Sequence, residues 1–383
     1  MEFITKINDN GTIAVDDTLL VKDYLTTAGS KILSNFKPLF SAECVLRLEK
    51  SGYAIAGKTN VGEFGLGFLG ESSFYGTCVK DGKVVGAGAS LVAEGKVKGC
   101  LSVDLNGTPR RASAISNVKL IKPTYGVVPR YGVVACACSG ETVSVLAKDT
   151  DTLVELLSKI AGYDSKDGTS INKEYDFSCN ASVKKVAVIK ELINSSLDKT
   201  IDKLKANGVV VDEISLKEIE EIATAWQILM SAETCNNISR YDGVKYGFRT
   251  ENYSNIDDLY VKTRTEGFSF LTKATLIYGS NALSKSKYLD CYDKSLKIRA
   301  LAQEIAKNIF ADYDLILTPT YSGKEYKVED LGNDSFEISL LESKYTAFAS
   351  ITGLPALVTD GVQFIGNYFA ENTLFSVSKI LEK

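Results

Sequence analysis

Histidine is absent from this sequence of 383 residues. Its absence excludes Ser–His–Asp and Cys–His catalysis and removes most kinds of zinc site. Any general base must therefore be a lysine, aspartate, glutamate or tyrosine. Proline is scarce, with six residues, and no stretch rich in proline, glycine or serine marks a linker. We expect a single domain over residues 1–383, with a short polar tail at 1–12 and a peripheral region at 150–235.

Long apolar runs are missing as well. No run approaches the roughly 20 residues of a membrane span, and no signal peptide is visible, so we expect no membrane contact. The eight cysteines are scattered without metal-site spacing, which favours reduced cysteines in a cytoplasmic protein and predicts no metal or cofactor. The net charge is −4 and basic residues are dispersed, which excludes a broad nucleic-acid-binding surface.

Apolar periodicity predicts an α/β chain. Residues 53–60 have the pattern of a buried strand that ends in a polar turn. Apolar residues from Leu153 to Ile160 predict a helix that Thr150 caps and Gly162 ends. We also expect a strand at 19–21, a strand–helix–strand unit at 184–211, and helices at 217–232 and 296–309. The strand–helix–strand unit requires a parallel or mixed sheet.

One glycine-rich stretch, residues 84–132, contains the sequence D-L-N-G-T-P-R and then K-P-T-Y-G and R-Y-G. Glycine allows backbone to approach backbone or a ligand closely. The turn at 104–108 can aim successive N–H groups at one point, as an oxyanion site requires. A closely packed strand–turn–helix core accounts for the same residues without any chemistry.

These motifs resemble the signature of the amidase-signature family, and above all its A subunits of glutamyl-tRNA(Gln)/aspartyl-tRNA(Asn) amidotransferases, which carry D-x-G-G-S-I-R and G-L-K-P-T-Y-G. G-K-T-N at 57–60, S-R-Y-D-G-V-x-Y-G at 239–247 and G-L-P at 353–355 extend the resemblance along the chain. The resemblance implies a single amidase-signature domain, in which helices cover both faces of a mixed central β-sheet.

The resemblance also implies the site. Thr108 occupies the position of the nucleophilic serine, and Val84, 24 positions earlier, that of the serine that relays its proton. The other roles are assigned by position. Lys58 takes the position of the catalytic lysine, and the backbone of Leu105, Asn106 and Gly107 takes that of the oxyanion hole. Arg299 corresponds to the arginine that reaches the glutamine carboxylate. Asp104 and Arg110 correspond to the two residues that support the turn.

The substitution at position 84 weakens the implied chemistry most. Threonine is a known nucleophile when a base is adjacent, and a lysine at the end of a buried strand can lose its proton. Valine, however, can neither accept nor pass a proton. Loss of one key member of a triad costs roughly 10⁶ in turnover, or on the order of 8 kcal/mol. A replacement relay could come from the nearby serines Ser90, Ser102, Ser113 and Ser116, although no motif supports any of them.

Three functions follow as hypotheses. The first is a degenerate homologue of the amidotransferase A subunit, which serves as a scaffold or binding subunit beside a small C-like and a B-like subunit, with tRNA contacted only indirectly. The second is an active glutamine amidase that uses Thr108 with Lys58 as base. The third, a nucleotide-binding protein, is disfavoured because the chain has neither G-K-[ST] nor a clean G-x-G-x-x-G after a strand.

Overall fold

An eleven-stranded mixed β-sheet crosses the centre of the computed structural model, which describes residues 1–332 and 334–382. The strands are β1 (Phe3–Lys6), β2 (Ile13–Asp16), β3 (Ile55–Thr59), β4 (Val79–Lys80), β5 (Lys83–Val84), β6 (Gly99–Asp104), β7 (Lys119–Lys122), β8 (Thr142–Ala147), β9 (Lys185–Ile189), β10 (Val210–Ile214), β11 (Leu315–Pro319), β12 (Ala356–Thr359) and β13 (Val362–Gly366). The sheet order is β1-β3-β2-β6-β8-β7-β12-β13-β11-β9-β10, and β4 and β5 form a separate hairpin.

Helices lie on both faces of the sheet. They are α1 (Glu43–Lys50), α2 (Ala87–Ala93), α3 (Thr108–Ile115), α4 (Thr150–Ile160), α5 (Asp198–Ala206), α6 (Ile219–Ile238), α7 (Ile256–Gly267), α8 (Phe270–Ala282), α9 (Lys294–Asp312), α10 (Val328–Leu331), α11 (Ser335–Ser343), α12 (Ala347–Thr352) and α13 (Glu371–Leu381). None of the helices described is both long and apolar enough to cross a lipid bilayer.

Side chains along the central strands alternate between two hydrophobic cores, which explains why helices cover both faces of the sheet. In β9, Val186 and Val188 belong to the core beneath α1, α4, α5 and α13, whereas Ala187 and Ile189 belong to the core that contains α6 and α12. Successive side chains of a strand point to opposite faces, so a strand that is apolar throughout needs cover on each side. The predicted fold, a mixed sheet covered by helices on both faces, is confirmed.

Three strands bring the candidate site together. β2 pairs in parallel with both β3 and β6, so the carboxyl ends of these strands meet at one edge of the sheet. Lys58 lies near the end of β3, Asp17 directly follows β2, and Asp104 ends β6. This edge collects charged and polar side chains that lie far apart in the sequence.

The predicted strand–helix–strand unit is confirmed as β9, α5 and β10, with β9 and β10 parallel. Three other predictions are corrected. The segment at 1–12, predicted as a polar tail, contains β1, an edge strand paired with β3. Residues 19–21 form no strand, because the chain turns there and only Leu19 makes a single bridge, to Val133. The N-cap of α4 is Asp149, whose carboxylate accepts from the Thr152 N–H at 2.8 Å.

The predicted helix at 296–309 is confirmed as part of α9, and small residues form its buried face. Leu296 and Leu301 are exposed, while Ala302 and Ala306 are buried. The small side chains allow close packing against α6 and α12, and the larger leucines on the other side remain in solvent.

Candidate active site

The turn at residues 104–108 joins β6 to α3. Gly107 caps the helix in the left-handed region, with φ +81°, a conformation that favours glycine. A Cβ at this position would lie 2.4 Å from Cβ of Thr346, so only glycine fits. The Gly107 N–H donates to Oδ1 of Asp104 at 3.1 Å, which closes the turn on itself.

Asp104 and Arg110 form a fully buried ion pair behind this turn. The guanidinium contacts the carboxylate through Nε at 2.8 Å and Nη2 at 3.0 Å. Its other donors reach Thr346 O, Oε1 of Gln363 and Oγ of Ser350, which occupies all five N–H groups. Burial alone would raise the pKa of Asp104, but the positive charges of Arg110 and Lys122 outweigh it and lower that pKa. This predicted pair therefore supports the turn.

Arg111, which no motif indicated, is a second buried guanidinium at the same turn. It donates from Nε to Phe68 O, from Nη1 to Asn106 O and Thr346 Oγ1, and from Nη2 to Gly67 O and Thr108 Oγ1. All of these acceptors are uncharged. Burial accordingly lowers the pKa of Arg111 to about 10. Its position next to Arg110 was the only signal in the sequence.

Thr108, at the nucleophile position, already has hydrogen-bond partners. Its hydroxyl donates to the carbonyl oxygen of Gly67 at 2.7 Å and accepts from Nη2 of Arg111 at 3.5 Å. A nucleophilic hydroxyl must instead give its proton to a base. The partners of Thr108 are a carbonyl and a cation, and neither accepts a proton at neutral pH.

The cavity beside Thr108 has a volume of about 40 Å³ and is also lined by Asp16, Asn60 and Ser102. One water requires roughly 10–15 Å³ of such volume, so the space holds only a few waters. Ser102 donates to Oδ1 of Asp16 at 3.0 Å. Burial raises the pKa of Asp16 to about 6, although Thr59, Ser102 and the Val103 N–H donate to the carboxylate.

Lys58 is completely buried in β3, so the predicted desolvation of this lysine is present. Its ammonium group lies 2.9 Å from Oδ1 of Asp17 and donates to Oγ1 of Thr26 at 2.5 Å. Burial lowers the pKa of Lys58, and the Asp17 charge opposes that shift. Neither Asp17 nor Thr26 was expected as a partner.

Val84 is buried in the β4–β5 hairpin, opposite Val79. Its side chain belongs to the same apolar cluster as Phe68 and Leu69, and its N–H donates to Tyr326 O at 3.4 Å. The relay position is therefore part of the hydrophobic core.

The structure does not connect Lys58 to Thr108. Across residues 1–332 and 334–382, no side chain hydrogen-bonds to both of them. Of the candidate relay serines, Ser102 reaches the cavity but donates to Asp16, Ser90 donates to Glu2, and Ser113 donates to Val118 O. Ser116, the fourth, is the C-cap of α3, at the opposite end of the helix from Thr108.

The other residues predicted for the site also make their contacts with neighbouring residues of the protein. At the oxyanion-hole positions, Leu105 packs in the core, the Asn106 side chain accepts from Nε1 of Trp226 at 3.1 Å, and the Gly107 N–H is taken by Asp104. Arg299 donates to Ile351 O and to both Oγ and O of Ser139, at 2.8 to 3.0 Å. These contacts position Arg299 against α12 and leave it fewer donors for a substrate carboxylate.

Lys122, in the K-P-T-Y-G motif, is a buried lysine that sequence reasoning did not single out for the site. It donates to Leu354 O at 2.9 Å. Burial, together with repulsion from Arg110, lowers its pKa to about 7, while Asp104 and Glu371 act in the opposite direction. Within the part of the chain that the structure describes, no group of three or more Cys, Asp or Glu side chains is arranged to hold a metal ion, and all eight cysteines are unpaired.

Comparison with known proteins identifies the family of this chain. The family model described as Amidase matches residues 12–375. The chain is 34% identical to the A subunit of glutamyl-tRNA(Gln) amidotransferase from Agathobacter rectalis, over 97% of this chain and 80% of that protein. It is 35% identical to the corresponding protein of Coxiella burnetii, over 96% and 82% respectively.

Solved structures give the same result. The crystal structure of the A subunit of glutamyl-tRNA(Gln) amidotransferase from Thermotoga maritima superposes with a TM-score of 0.82 at 25% identity, covering 100% of this chain and 87% of that one. A 6-aminohexanoate cyclic dimer hydrolase has a TM-score of 0.79 at 17% identity, which shows a shared fold alone. The chain belongs to the amidase-signature family and has the fold of the A subunit of glutamyl-tRNA(Gln) amidotransferase.

Proposed function

We propose that this chain is a degenerate relative of the amidotransferase A subunit that retains the family's scaffold and has lost amide hydrolysis. It acts as a scaffold or binding subunit. The observation that carries the proposal is the missing proton path, since Lys58 pairs with Asp17 and Thr26 while Thr108 bonds to Gly67 and Arg111.

The apolar environment of Val84 supports the same conclusion. A relay hydroxyl at this position would exchange protons with both the lysine and the nucleophile, whereas the valine lies in a hydrophobic cluster. Loss of one such member lowers turnover by roughly 10⁶ in a serine protease. We expect a loss of similar size here, which leaves any hydrolysis below most assay backgrounds.

The partners follow from the relatives, whose name identifies each as one component of an amidotransferase. We propose that this chain assembles with a small C-like and a B-like subunit, and that tRNA is contacted through those partners. The net charge of −4 and the dispersed lysines and arginines support indirect contact with tRNA.

A second candidate, an active glutamine amidase, is favoured by one observation. Thr108 lies on the wall of a cavity and is partly exposed, so a small amide could approach its hydroxyl. In this case Lys58 would deprotonate Thr108 through a water after both side chains leave their present partners. The substrate would be glutamine, and the product ammonia.

A glutaminase assay separates the two functions. The purified chain, alone and mixed with a candidate B-like subunit, is incubated with glutamine and ammonia is measured. The degenerate protein releases no ammonia above background in either case. Ammonia release that Lys58→Ala abolishes would refute the proposal. Co-purification with the B-like subunit tests the scaffold function separately.

A further inference from the structure

Asp16 is a buried carboxylate that has no ion-pair partner among residues 1–332 and 334–382. The residue is 7% exposed, and no lysine or arginine nitrogen of this part of the chain lies within 4.0 Å of its side-chain oxygens. Lys58 is near enough to be affected by the charge of Asp16, but its Nζ lies against Asp17 instead, at 2.9 Å. A buried charge is costly unless an opposite charge lies beside it.

The Asp16 carboxylate lines the cavity of about 40 Å³ beside Thr108 and can accept a further hydrogen bond. Oδ1 accepts from Thr59 at 2.9 Å and from Ser102 at 3.0 Å, whereas Oδ2 accepts, within the described residues, from the Val103 N–H alone, at 3.0 Å. The two oxygens of a carboxylate offer about four acceptor positions, so one stays open on Oδ2. Burial raises the pKa of Asp16 to about 6 despite these donors, and the group is therefore ionised at neutral pH.

Two hydroxyl groups on the cavity wall can only accept further hydrogen bonds. The Ser102 hydroxyl gives its proton to Asp16, and the Thr108 hydroxyl gives its proton to Gly67 O. Both oxygens keep lone pairs, because a hydroxyl has one proton and two acceptor positions. Thr108 also accepts from Nη2 of Arg111 at 3.5 Å, so a guanidinium group lies behind this end of the cavity.

Asn60, the fourth polar side chain on the wall, has its N–H groups committed elsewhere. Its Nδ2 donates to Gly76 O at 2.6 Å and to Met1 O at 3.3 Å. Its Oδ1 accepts from Ser73 at 2.6 Å and retains a second lone pair. The polar side chains that line the cavity thus combine one negative charge with oxygen acceptors and have no uncommitted donor.

We propose that this cavity binds one monovalent cation of the size of potassium, sodium or ammonium, held by Asp16, Ser102 and Asn60. A single carboxylate balances one positive charge. In the described part of the chain no group of three acidic or cysteine side chains is arranged to hold a metal ion, which disfavours divalent and transition metals. The volume admits an ion no larger than a few waters. Repulsion from Arg111 favours the Asp16 end of the cavity over the Thr108 end. This inference goes beyond the proposed function and does not depend on the loss of hydrolysis.

Thermal unfolding of the full chain tests the site. The Tm is measured near neutral pH in potassium, sodium and ammonium chloride. Each salt is titrated against tetraethylammonium chloride, whose cation is too large for the cavity, at constant ionic strength. We expect at least one small cation to raise the Tm saturably by about 2–4 °C, because it binds the folded chain and not the unfolded one. Comparison of the three salts shows which cation is preferred.

Variants locate the ion. Asp16→Asn keeps the shape of the side chain and removes its charge, so we expect it to lose the saturable rise in Tm. Glu325→Gln is the matched control, since Glu325 is an exposed carboxylate outside the cavity, and it should keep the rise of the wild type.

Equal Tm values in small and large cations overturn the inference, because water alone then fills the cavity. An undiminished rise in folded Asp16→Asn overturns it as well. If Asp16→Asn does not fold, Ser102→Ala decides: it removes one acceptor, and we expect the half-saturating cation concentration to increase about threefold or more. An unchanged concentration in Ser102→Ala overturns the inference. Ammonia release by the wild-type chain overturns the proposed function instead and leaves the cation site standing.

Discussion

Replacing Asp104 with asparagine tests whether the signature turn is a structural element. The carboxylate makes two contacts with Arg110, at 2.8 and 3.0 Å, and accepts the Gly107 N–H at 3.1 Å. Asparagine keeps the shape of the side chain and removes its charge. Arg110 would then be a cation with no exposure to solvent and only uncharged acceptors.

Removing one partner of a buried ion pair typically costs about 3–5 kcal/mol, because an uncompensated charge stays behind. The whole free energy of unfolding is about 5–15 kcal/mol for an ordinary protein. We therefore expect Asp104→Asn to lose a large share of the stability of this chain. Chemical denaturation at constant pH, followed by fluorescence of the buried Trp226, measures the loss.

Glu325→Gln is the matched control. Glu325 pairs with Lys83 at 2.6 Å, but the two side chains are 66% and 51% exposed. Exposed pairs contribute a median of about 0–1 kcal/mol, so this variant unfolds close to the wild type. Equal losses in Asp104→Asn and Glu325→Gln would refute the conclusion that the buried pair holds the turn.

The pH dependence provides a second check. The pKa of Asp104 is lower in the folded chain than its ordinary value. A carboxylate of this kind contributes stability above its unfolded pKa and loses that contribution as pH falls through the folded pKa. The free energy of unfolding of Asp104→Asn should therefore fall less on acidification than that of the wild type. An equal fall in both proteins contradicts the role given to this carboxylate.

Three further variants test other parts of the structure. Thr108→Val removes a hydroxyl that donates to Gly67 O, so we expect chemical denaturation to show a loss of about 1 kcal/mol of stability. We expect no change in ammonia release. A loss of ammonia release would instead favour the active amidase. The pKa of Lys122 is about 7 in the folded chain, below its value in the unfolded chain, so the unfolded chain binds more protons between these two values and stability rises with pH there. Lys122→Met should make this rise in the free energy of unfolding smaller. An unchanged slope would contradict the shift. Gly140→Ala places a Cβ 2.0 Å from the Trp226 ring, and we expect overpacking to cost about 1–3 kcal/mol in thermal or chemical unfolding, so a neutral effect would contradict the packing.

Local patterns in the sequence predict much of the fold. Apolar periodicity indicates α4 and the β9–α5–β10 unit because each of these elements buries a face made by its own residues. β1 is not predictable in this way, since four residues at a sheet edge carry a weak pattern and their pairing with β3 is not local. The buried run at 19–21 has the opposite problem: it is apolar because a loop is covered, so burial there does not indicate a strand.

The candidate site is predictable only where a motif fixes the position. The resemblance assigns Asp104 and Arg110 as support for the turn, and the structure places them in contact. It gives no indication of Asp17, which directly follows β2, or of Thr26, which lies in the loop beyond β2; both contact Lys58, and Thr26 is 32 positions away from it in the sequence. These contacts depend on which strands are parallel neighbours, and that information is in the topology of the sheet.

The residues of the signature region divide according to what they contact. Those that hold the turn, such as Gly107 and Arg110, have their donors satisfied by the fold and are required whether or not chemistry occurs. Residues that perform chemistry need a free reactive group: Thr108 needs a hydroxyl proton that a base can take, and Lys58 needs a lone pair. In this chain the Thr108 hydroxyl donates to Gly67 O, and Nζ of Lys58 lies 2.9 Å from Oδ1 of Asp17. If hydrolysis is lost as proposed, the fold keeps the residues that hold the signature turn while the reactive positions bond to their neighbours, and we expect that restoring a single missing hydroxyl does not restore turnover.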